Sequence, residues 1–173
     1  KHYPDFCAGG PIIVSEIGDS EEDNPGLINH IFRVSNGKDS MIVKQGQERI
    51  RMDGEYPVPP RRNRQEYLSL KLRGEIIGKF VPKVYGVDYE NHVFAMEDVS
   101  YLGNARVELT KNKMYPNLGR QMAEYSAAAN FYPSEFYLDT PTFRRLCNSF
   151  TNTEMRNIME SWVFLRESPF PAN

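Results

Sequence analysis

The sequence predicts an α+β fold, in which a five-stranded antiparallel sheet with one inserted helix is followed by a segment made of helices. Two β-rich runs flank an Asn-Gly pair within residues 36–39, which is the strongest short-range signal for a hairpin. Pro59 and Pro60 precede a stretch without breakers, Arg61 to Arg73, and proline suits the first turn of a helix. From Gly103 onward, apolar residues recur at helical spacing.

The five predicted strands are short β-rich runs separated by turn residues. They are Ile12–Ile17, Asn29–Val34, Ser40–Gln45, Pro82–Tyr89 and His92–Glu97. The last has few polar residues, which predicts burial on both faces. The polar stretch Gly18–Gly26 predicts a loop between the first two strands, and Gln47–Pro60 predicts a long connection of a kind that tends to be functional or mobile. Gly74 is predicted to end the inserted helix.

The composition changes after Asp98, and we therefore expect two parts, residues 1–98 and residues 99–173. The first ten residues contain Pro4 and Gly9 and are predicted to be irregular. Three helices are predicted in the second part: Tyr115–Phe131, one that begins near Pro141 with Asp139 or Thr140 as its cap, and Thr151–Leu165 with a capping-box start.

The composition is typical of a soluble globular protein and excludes several functional classes. Of 173 residues, 40% are apolar and 25% are charged, and the net charge of −2 offers no basic surface for nucleic acid. No apolar run approaches the ~18 residues that span a membrane. Cys7 and Cys147 favour reduced thiols and a cytoplasmic location, with a single disulfide as the alternative. Because the chain begins at Lys1, we expect it to be a piece of a longer protein.

Lys44 lies near the end of the third predicted strand and has two interpretations. An edge-strand lysine protects a sheet from aggregation. The alternative is the phosphate-binding lysine of a kinase-like nucleotide site, whose partner is a glutamate of the helix after the third strand. Glu66 occupies that place in the sequence, although it could also be an ordinary solvated helix residue. Residues 97–99 fall where the connecting segment of such a site offers backbone groups to an adenine edge.

Several motifs occur in a fixed order along nearly the whole chain, from about Ile13 to Phe170. The matching segments are Glu16–Asp19, Gly26–Val34, Met41–Gln45, Gly54–Glu55 with Pro57, Arg62–Leu70, Met96–Ser100, Tyr115–Pro116, and Phe150–Glu154 with Val163–Phe164. In this order they resemble the 5-methylthioribose kinase family. The wider protein-kinase-like and aminoglycoside phosphotransferase-like superfamily shares only the Lys44 and Glu66 pattern.

The resemblance implies a protein-kinase-like small lobe followed by the first helices of a large lobe. It also implies transfer of the γ-phosphate of ATP to the 1-hydroxyl of 5-methylthioribose, a step of methionine salvage, with ATP and Mg²⁺ as cofactors. The cofactor-binding residues that it implies are Asn29, Lys44, Glu66, Glu97, Asp98 and Val99.

The sequence departs from the family pattern at three places. Residues 20–25 lengthen the glycine-rich turn, and Tyr56 stands where the family usually has Trp. The family uses a His-Gly-Asp catalytic loop and a later acidic metal-binding segment, and none of the histidines begins such a loop: His2, His30 and His92. We therefore expect no catalytic residue and no metal ligand within this chain, and no turnover by the chain alone.

Two other functions remain open from the sequence. One is a phosphotransferase of the same fold that acts on another small alcohol or an aminoglycoside. The other is a non-catalytic nucleotide-binding or interaction domain. Whichever of these functions holds, including the kinase, we expect no nucleic-acid or membrane partner. We also expect a homo-oligomer, because ending the chain within a helical lobe exposes apolar helix faces such as that of Tyr115–Phe131.

Overall fold

The structure is a computed structural model that describes residues 4–17, 28–51, 54 and 57–161. The predicted Gly18–Gly26 loop, Tyr56 and the part of the predicted last helix beyond Ser161 lie outside these residues. Within the described ranges, no helix has both the length and the apolar character needed to cross a membrane.

A five-stranded antiparallel sheet forms the first part of the chain, in the spatial order β1-β2-β3-β5-β4. Its strands are β1 (Ile13–Glu16), β2 (His30–Ser35), β3 (Ser40–Gln45), β4 (Val84–Asp88) and β5 (Val93–Glu97). The predicted sheet is confirmed, and each strand lies within about two residues of its predicted bounds. The order places β3 at the centre, between β2 and β5.

The hairpin between β2 and β3 is held by one buried side chain, Asn36, which is 4% exposed. Its Oδ1 accepts hydrogen bonds from the backbone N–H groups of Lys38 and Asp39, at 2.9 and 2.6 Å. Its Nδ2 donates to the carbonyl oxygen of Phe6 at 2.9 Å. Phe6 belongs to a short helix, α1 (Pro4–Ala8). The prediction of an irregular start was therefore wrong over these five residues.

The inserted helix, α2 (Arg62–Ile77), is longer than predicted and is followed by a 3₁₀ turn, Gly78–Phe80. The predicted end at Gly74 was wrong, because Gly74 does not adopt the positive φ of a terminating glycine. A glycine inside a helix costs only about 1 kcal/mol relative to alanine. Packing of α2 against β4 and β5 offsets a cost of that size.

The core lies between the sheet and α2, and its most buried large side chain is Phe94 of β5, 1% exposed. The Phe94 ring lies 6.1 Å from the ring of Tyr67, which belongs to α2. The next residue, Ala95, points to the opposite face of the sheet and is 7% exposed. The prediction that β5 is buried on both faces is therefore confirmed.

The second part of the described chain is helical and contains no strand after Gly103, as predicted. Its helices are α3 (Ala105–Thr110), α4 (Leu118–Phe131), α5 (Thr140–Ser149) and α6 (Thr153–Glu160). Helix α4 lies next to α2 and the 3₁₀ turn, where the rings of Phe80 and Tyr125 meet edge to face at 6.3 Å. The sheet, α2 and the following helices thus agree with the predicted α+β class.

One predicted cap is confirmed and another is wrong. Asp139 caps α5, because its carboxylate accepts a hydrogen bond from the backbone N–H of Thr142 at 2.9 Å. Helix α6 begins after Asn152 and lacks the predicted capping box. The hydroxyl of Thr151 instead donates to the carbonyl of Cys147. Glu154 forms an ion pair with Arg61, the residue that precedes α2.

Candidate functional site

Lys44 lies on the central strand of the sheet, and its neighbours in register are Ile31 of β2 and Phe94 of β5. A strand with partners on both sides is not an edge strand, so the edge-lysine interpretation is wrong. The Lys44 side chain is only 19% exposed. Its ammonium group therefore needs a specific polar partner.

The partner of Lys44 is Glu66 of α2. The Lys44 Nζ lies 2.5 Å from the Glu66 Oε1, and the Glu66 side chain is 35% exposed. The two residues are 22 positions apart, so the contact depends on the packing of α2 against the sheet and not on local geometry. The predicted ion pair is thus present in the fold.

The first turn of α2 is fixed to the sheet by Asn63, which is 2% exposed. Its Nδ2 donates to the carbonyl oxygens of Lys44 at 3.0 Å and His92 at 2.7 Å. His92 has a positive φ of 52°, which is uncommon for a residue with a side chain, and its carbonyl also accepts from the backbone N–H of Gly46 at 2.9 Å. Asn63 therefore holds α2 against β3 beside the ion pair.

Gly46 permits this close approach because it has no side chain. A Cβ at this position would lie 2.4 Å from the carbonyl oxygen of Pro60 and 3.1 Å from the Cβ of Asn63. Any side chain at residue 46 would therefore push the start of α2 away from the end of β3. The Lys44–Glu66 pair depends on this backbone contact.

Asn29 precedes β2 and joins the same group of side chains. Its Nδ2 lies 3.5 Å from the Glu66 Oε2 and 3.5 Å from the Asn63 Oδ1. Three residues that were predicted as cofactor-binding from separate parts of the sequence, Asn29, Lys44 and Glu66, thus lie together. Whether they bind a cofactor stays a prediction.

Arg62 is a further member of the site, and sequence analysis missed it. It is 8% exposed, and its guanidinium donates to Asn29 Oδ1 at 2.6 Å and to the carbonyl oxygen of Ile28 at 3.1 Å. Burial lowers the pKa of Arg62, and the nearby Glu66 carboxylate partly opposes that shift. Arginine nonetheless stays charged at neutral pH. The i, i+4 spacing of Arg62 and Glu66 on one helix was the available signal.

The charges of this group do not cancel. Lys44 and Arg62 are cations, and Glu66 is the carboxylate that lies next to both. The three side chains together therefore carry one excess positive charge at neutral pH. A partly buried site with excess positive charge favours an anionic ligand.

Residues 97–99, the predicted connecting segment, lie at the end of β5, and the side chain of Asp98 points away from Lys44 and Glu66. The Asp98 carboxylate is 4% exposed and accepts from Arg33 Nε at 2.9 Å, Ser40 Oγ at 2.8 Å and the backbone N–H of Ser100 at 3.0 Å. Ser40 begins β3, four residues from Lys44, a separation of about 13 Å along a strand. The Asp98 side chain thus does not join the ion-pair group.

The neighbours of Asp98 are also engaged in the fold. Glu97 accepts a hydrogen bond from the backbone N–H of Lys83 at 3.0 Å through its Oε2, and the carbonyl of Val99 accepts from the N–H of Leu102 at 2.9 Å. These contacts fix the connection between β5 and the helical part. Any contribution of residues 97–99 to a ligand would therefore come from their remaining backbone groups, as the sequence analysis expected.

The ionised form of Asp98 stabilises the fold, which gives a testable pH dependence. Burial acts to raise the pKa of Asp98, but hydrogen bonds from Ser40 and Ser100 and the charge of Arg33 together hold that pKa below its ordinary value of 3.8. A lowered folded-state pKa contributes stability above the unfolded-state pKa, and this contribution is lost as the pH falls through the folded-state pKa. We expect the free energy of unfolding to fall below about pH 4.

This contribution can be isolated by comparing urea unfolding of the unaltered chain and Asp98→Asn between acid and neutral pH. We expect the variant to be less stable at neutral pH and to lose less stability on acidification. Asp5→Asn, at an exposed aspartate of α1, serves as the matched control. Equal acid dependence of the unaltered chain and Asp98→Asn would contradict the assigned role of the carboxylate.

Comparison with curated proteins gives one consistent group of relatives. The chain is 35% identical over 162 residues to a methylthioribose kinase of Geobacillus thermodenitrificans, and 36% identical over 162 residues to one of Bacillus velezensis, with 92% of the chain covered in both. It is 31% identical over 165 residues, 95% of the chain, to a methylthioribose kinase of Bacillus cereus. This chain is a homologue of methylthioribose kinases. The resemblance inferred from the motifs is thus confirmed.

The match to methylthioribose kinases covers the chain but not the relatives. The chain spans about two fifths of the length of these curated kinases, 39% and 40% for the first two. No family model matches the sequence. Because the match covers 92% of the chain, it includes both Lys44 and Glu66.

Proposed function

We propose that this chain is the ATP-binding part of a small-molecule kinase that resembles methylthioribose kinase. The observation that carries the proposal is the ion pair between Lys44 of the central strand and Glu66 of the inserted helix, at 2.5 Å. A lysine and a glutamate so placed form the phosphate-binding pair of kinase-type sites. The homologous kinases support the same assignment.

In this proposal the cationic side chains act on phosphate. Lys44 supplies a compact positive charge, and Glu66 holds its ammonium group in a fixed direction. Arg62 contributes further positive potential from within the fold. Asn29 lies immediately before β2 and beside Glu66, where its amide would face the same ligand. ATP, when bound, supplies the phosphoryl group, and the chain binds and orients it.

The face of the sheet that carries Lys44 suits an adenine ring. Ile42 lies two residues before Lys44 and therefore on the same face, and Met96 of β5 lies directly opposite Ile42. Both side chains are apolar, and Ile42 is 6% exposed. The backbone of Glu97, Asp98 and Val99 follows Met96 and would meet the edge of the adenine.

The second substrate, the metal and the assembly belong to the same proposal. By analogy with the homologous methylthioribose kinases, the sugar would be methylthioribose. Among the described residues, no three His, Cys, Asp or Glu lie close enough together to hold a metal ion. We further propose that the chain has two parts with a boundary near residue 98 and that the protein is cytoplasmic. We also propose that this chain alone does not turn over substrate and that it forms a homo-oligomer. Exposed apolar residues of α4 such as Met122 and Phe131, 60% and 50% exposed, support association.

Calorimetric titration of the purified chain with Mg²⁺–ATP tests the proposal. We expect saturable binding of one ATP per chain and no product when methylthioribose is added. GTP, in the same titration, serves as the control for charge alone, because it has the same phosphates and a different base. The absence of saturable ATP binding at millimolar concentration would contradict the proposed function.

A further inference from the structure

Arg62 is a buried cation whose hydrogen bonds all go to neutral acceptors. Its Nη1 donates to the carbonyl oxygens of Gln47 at 2.6 Å and Pro59 at 3.0 Å. Its Nη2 donates to Ile28 O and Asn29 Oδ1. The Nε is buried and has no hydrogen-bond partner among the described residues. Burying a cation without a directly bonded carboxylate is costly, so its presence here requires an explanation.

The four acceptors come from the two connections that border the Lys44–Glu66 pair. Ile28 and Asn29 end the segment between β1 and β2, whereas Gln47 and Pro59 lie near the two ends of the connection between β3 and α2. One planar guanidinium thus joins both connections to the first residue of α2. Lysine lacks the several fixed donors that this arrangement uses.

Arg62 also determines which way the Asn29 amide points. Because Asn29 Oδ1 accepts the 2.6 Å hydrogen bond from Arg62, the amide must turn its Nδ2 donors toward Glu66 and Asn63. The Nδ2 then lies beside Glu66 Oε2, and the other oxygen of Glu66 stays with Lys44. The contacts form a chain from Arg62 through Asn29 and Glu66 to Lys44.

We propose that Arg62 is a positioning residue for phosphate binding. Arg62 fixes Ile28 and Asn29, Asn29 in turn contacts Glu66, and Glu66 holds the ammonium group of Lys44 in place for the ligand. This inference rests on the proposed ATP-binding function. Arg62 itself is only 8% exposed, so we expect it to make no direct contact with the ligand. It acts through Asn29 and Glu66, and its loss should affect the phosphates of a nucleotide and not its base.

The test compares the affinities of the chain for ATP and for adenosine by ¹H–¹⁵N NMR titration, which measures weak binding. We expect Arg62→Lys to lower the ATP affinity by roughly tenfold and to leave the adenosine affinity unchanged. The matched control is Arg64→Ala. Arg64 is an exposed residue of the same helix, and its guanidinium lies over the Tyr89 ring. Thermal unfolding establishes that each variant is folded.

A second variant keeps the test decisive if Arg62→Lys does not fold. Asn29→Ala leaves the three backbone contacts of Arg62 in place and removes the amide between Arg62 and Glu66. We expect a similar loss of ATP affinity. Where Arg62→Lys does fold, we expect the double variant to lose no more than the larger single loss, because both changes interrupt one chain of contacts.

The outcomes separate this inference from the function on which it rests. If the unaltered chain does not bind ATP, the proposed function and this inference both fail. If it binds ATP and Asn29→Ala retains full affinity, the inference alone fails. Additive losses in the double variant, or equal losses for ATP and adenosine, would also overturn it, since a merely structural role predicts those results.

Discussion

Lys44→Met is expected to lower the affinity of the chain for ATP by about a hundredfold and to leave the fold almost unchanged. The methionine removes the charge that we propose to face the phosphates, and it keeps an unbranched apolar side chain on the central strand. The ion pair with Glu66 is partly exposed, with 19% and 35% of the two side chains accessible. Such a pair contributes about 1 kcal/mol or less to stability.

The measurement is a calorimetric titration with ATP together with urea unfolding of the same samples. Lys38→Met is the matched control, because Lys38 is an exposed lysine in the turn between β2 and β3. We expect the control to bind ATP as the unaltered chain does. Equal ATP affinity of Lys44→Met and Lys38→Met would mean that Lys44 has no part in binding phosphate.

Phe94→Ala is expected to lower the free energy of unfolding by about 3–5 kcal/mol, as is usual for removing a buried phenylalanine. Phe94 is 1% exposed, packs against the Tyr67 ring of α2, and lies beside Lys44 in the sheet register. Its loss leaves a cavity between the sheet and the helix that carries Glu66. A stability loss of this size is a large share of the total stability of a small domain.

Urea unfolding at neutral pH measures this effect, and Phe136→Ala serves as its control. Phe136 is 86% exposed, so its truncation should change the free energy of unfolding by no more than about 0.5 kcal/mol. A small effect of Phe94→Ala would contradict the packing of α2 on the sheet. The same result would remove the structural basis of the Lys44–Glu66 pair.

The Lys44–Glu66 pair was predictable because its parts have strong local signals. The Asn36–Gly37 turn fixes the β2–β3 hairpin and hence the position of Lys44 in β3. Pro60 marks the start of the following helix and hence the position of Glu66. The order of these elements then brings the two residues together, since a helix inserted between antiparallel strands must pack on one face of the sheet.

Arg62 was not predictable in the same way, because its role depends on carbonyl oxygens. Three of its four acceptors are backbone groups of Ile28, Gln47 and Pro59, and any sequence supplies such groups at any position. The side chain of an arginine at a helix start is normally solvated. Only the folded arrangement of two connections around the start of α2 makes its burial favourable.

Helix ends and caps were also difficult to predict, because tertiary contacts compete with local preferences. Gly74 is a good local stop, yet α2 continues to Ile77, and the helix as a whole packs against β4 and β5. Glu154 fits a capping box with Thr151, yet it pairs with Arg61 instead. In both cases a long-range partner outweighs a local contribution of about 1 kcal/mol.

The most direct test of the account is an NMR map of the ATP site on the ¹⁵N-labelled chain. We expect ATP to shift the backbone amide signals of Asn29, Lys44 and residues 97–99, and to shift them much less in Lys44→Met. Adenosine should shift residues 97–99 and leave Lys44 nearly unchanged. Shifts confined to the opposite face of the sheet, or the same ATP shifts in Lys44→Met, would contradict the claim that Lys44 and Glu66 form the phosphate-binding pair.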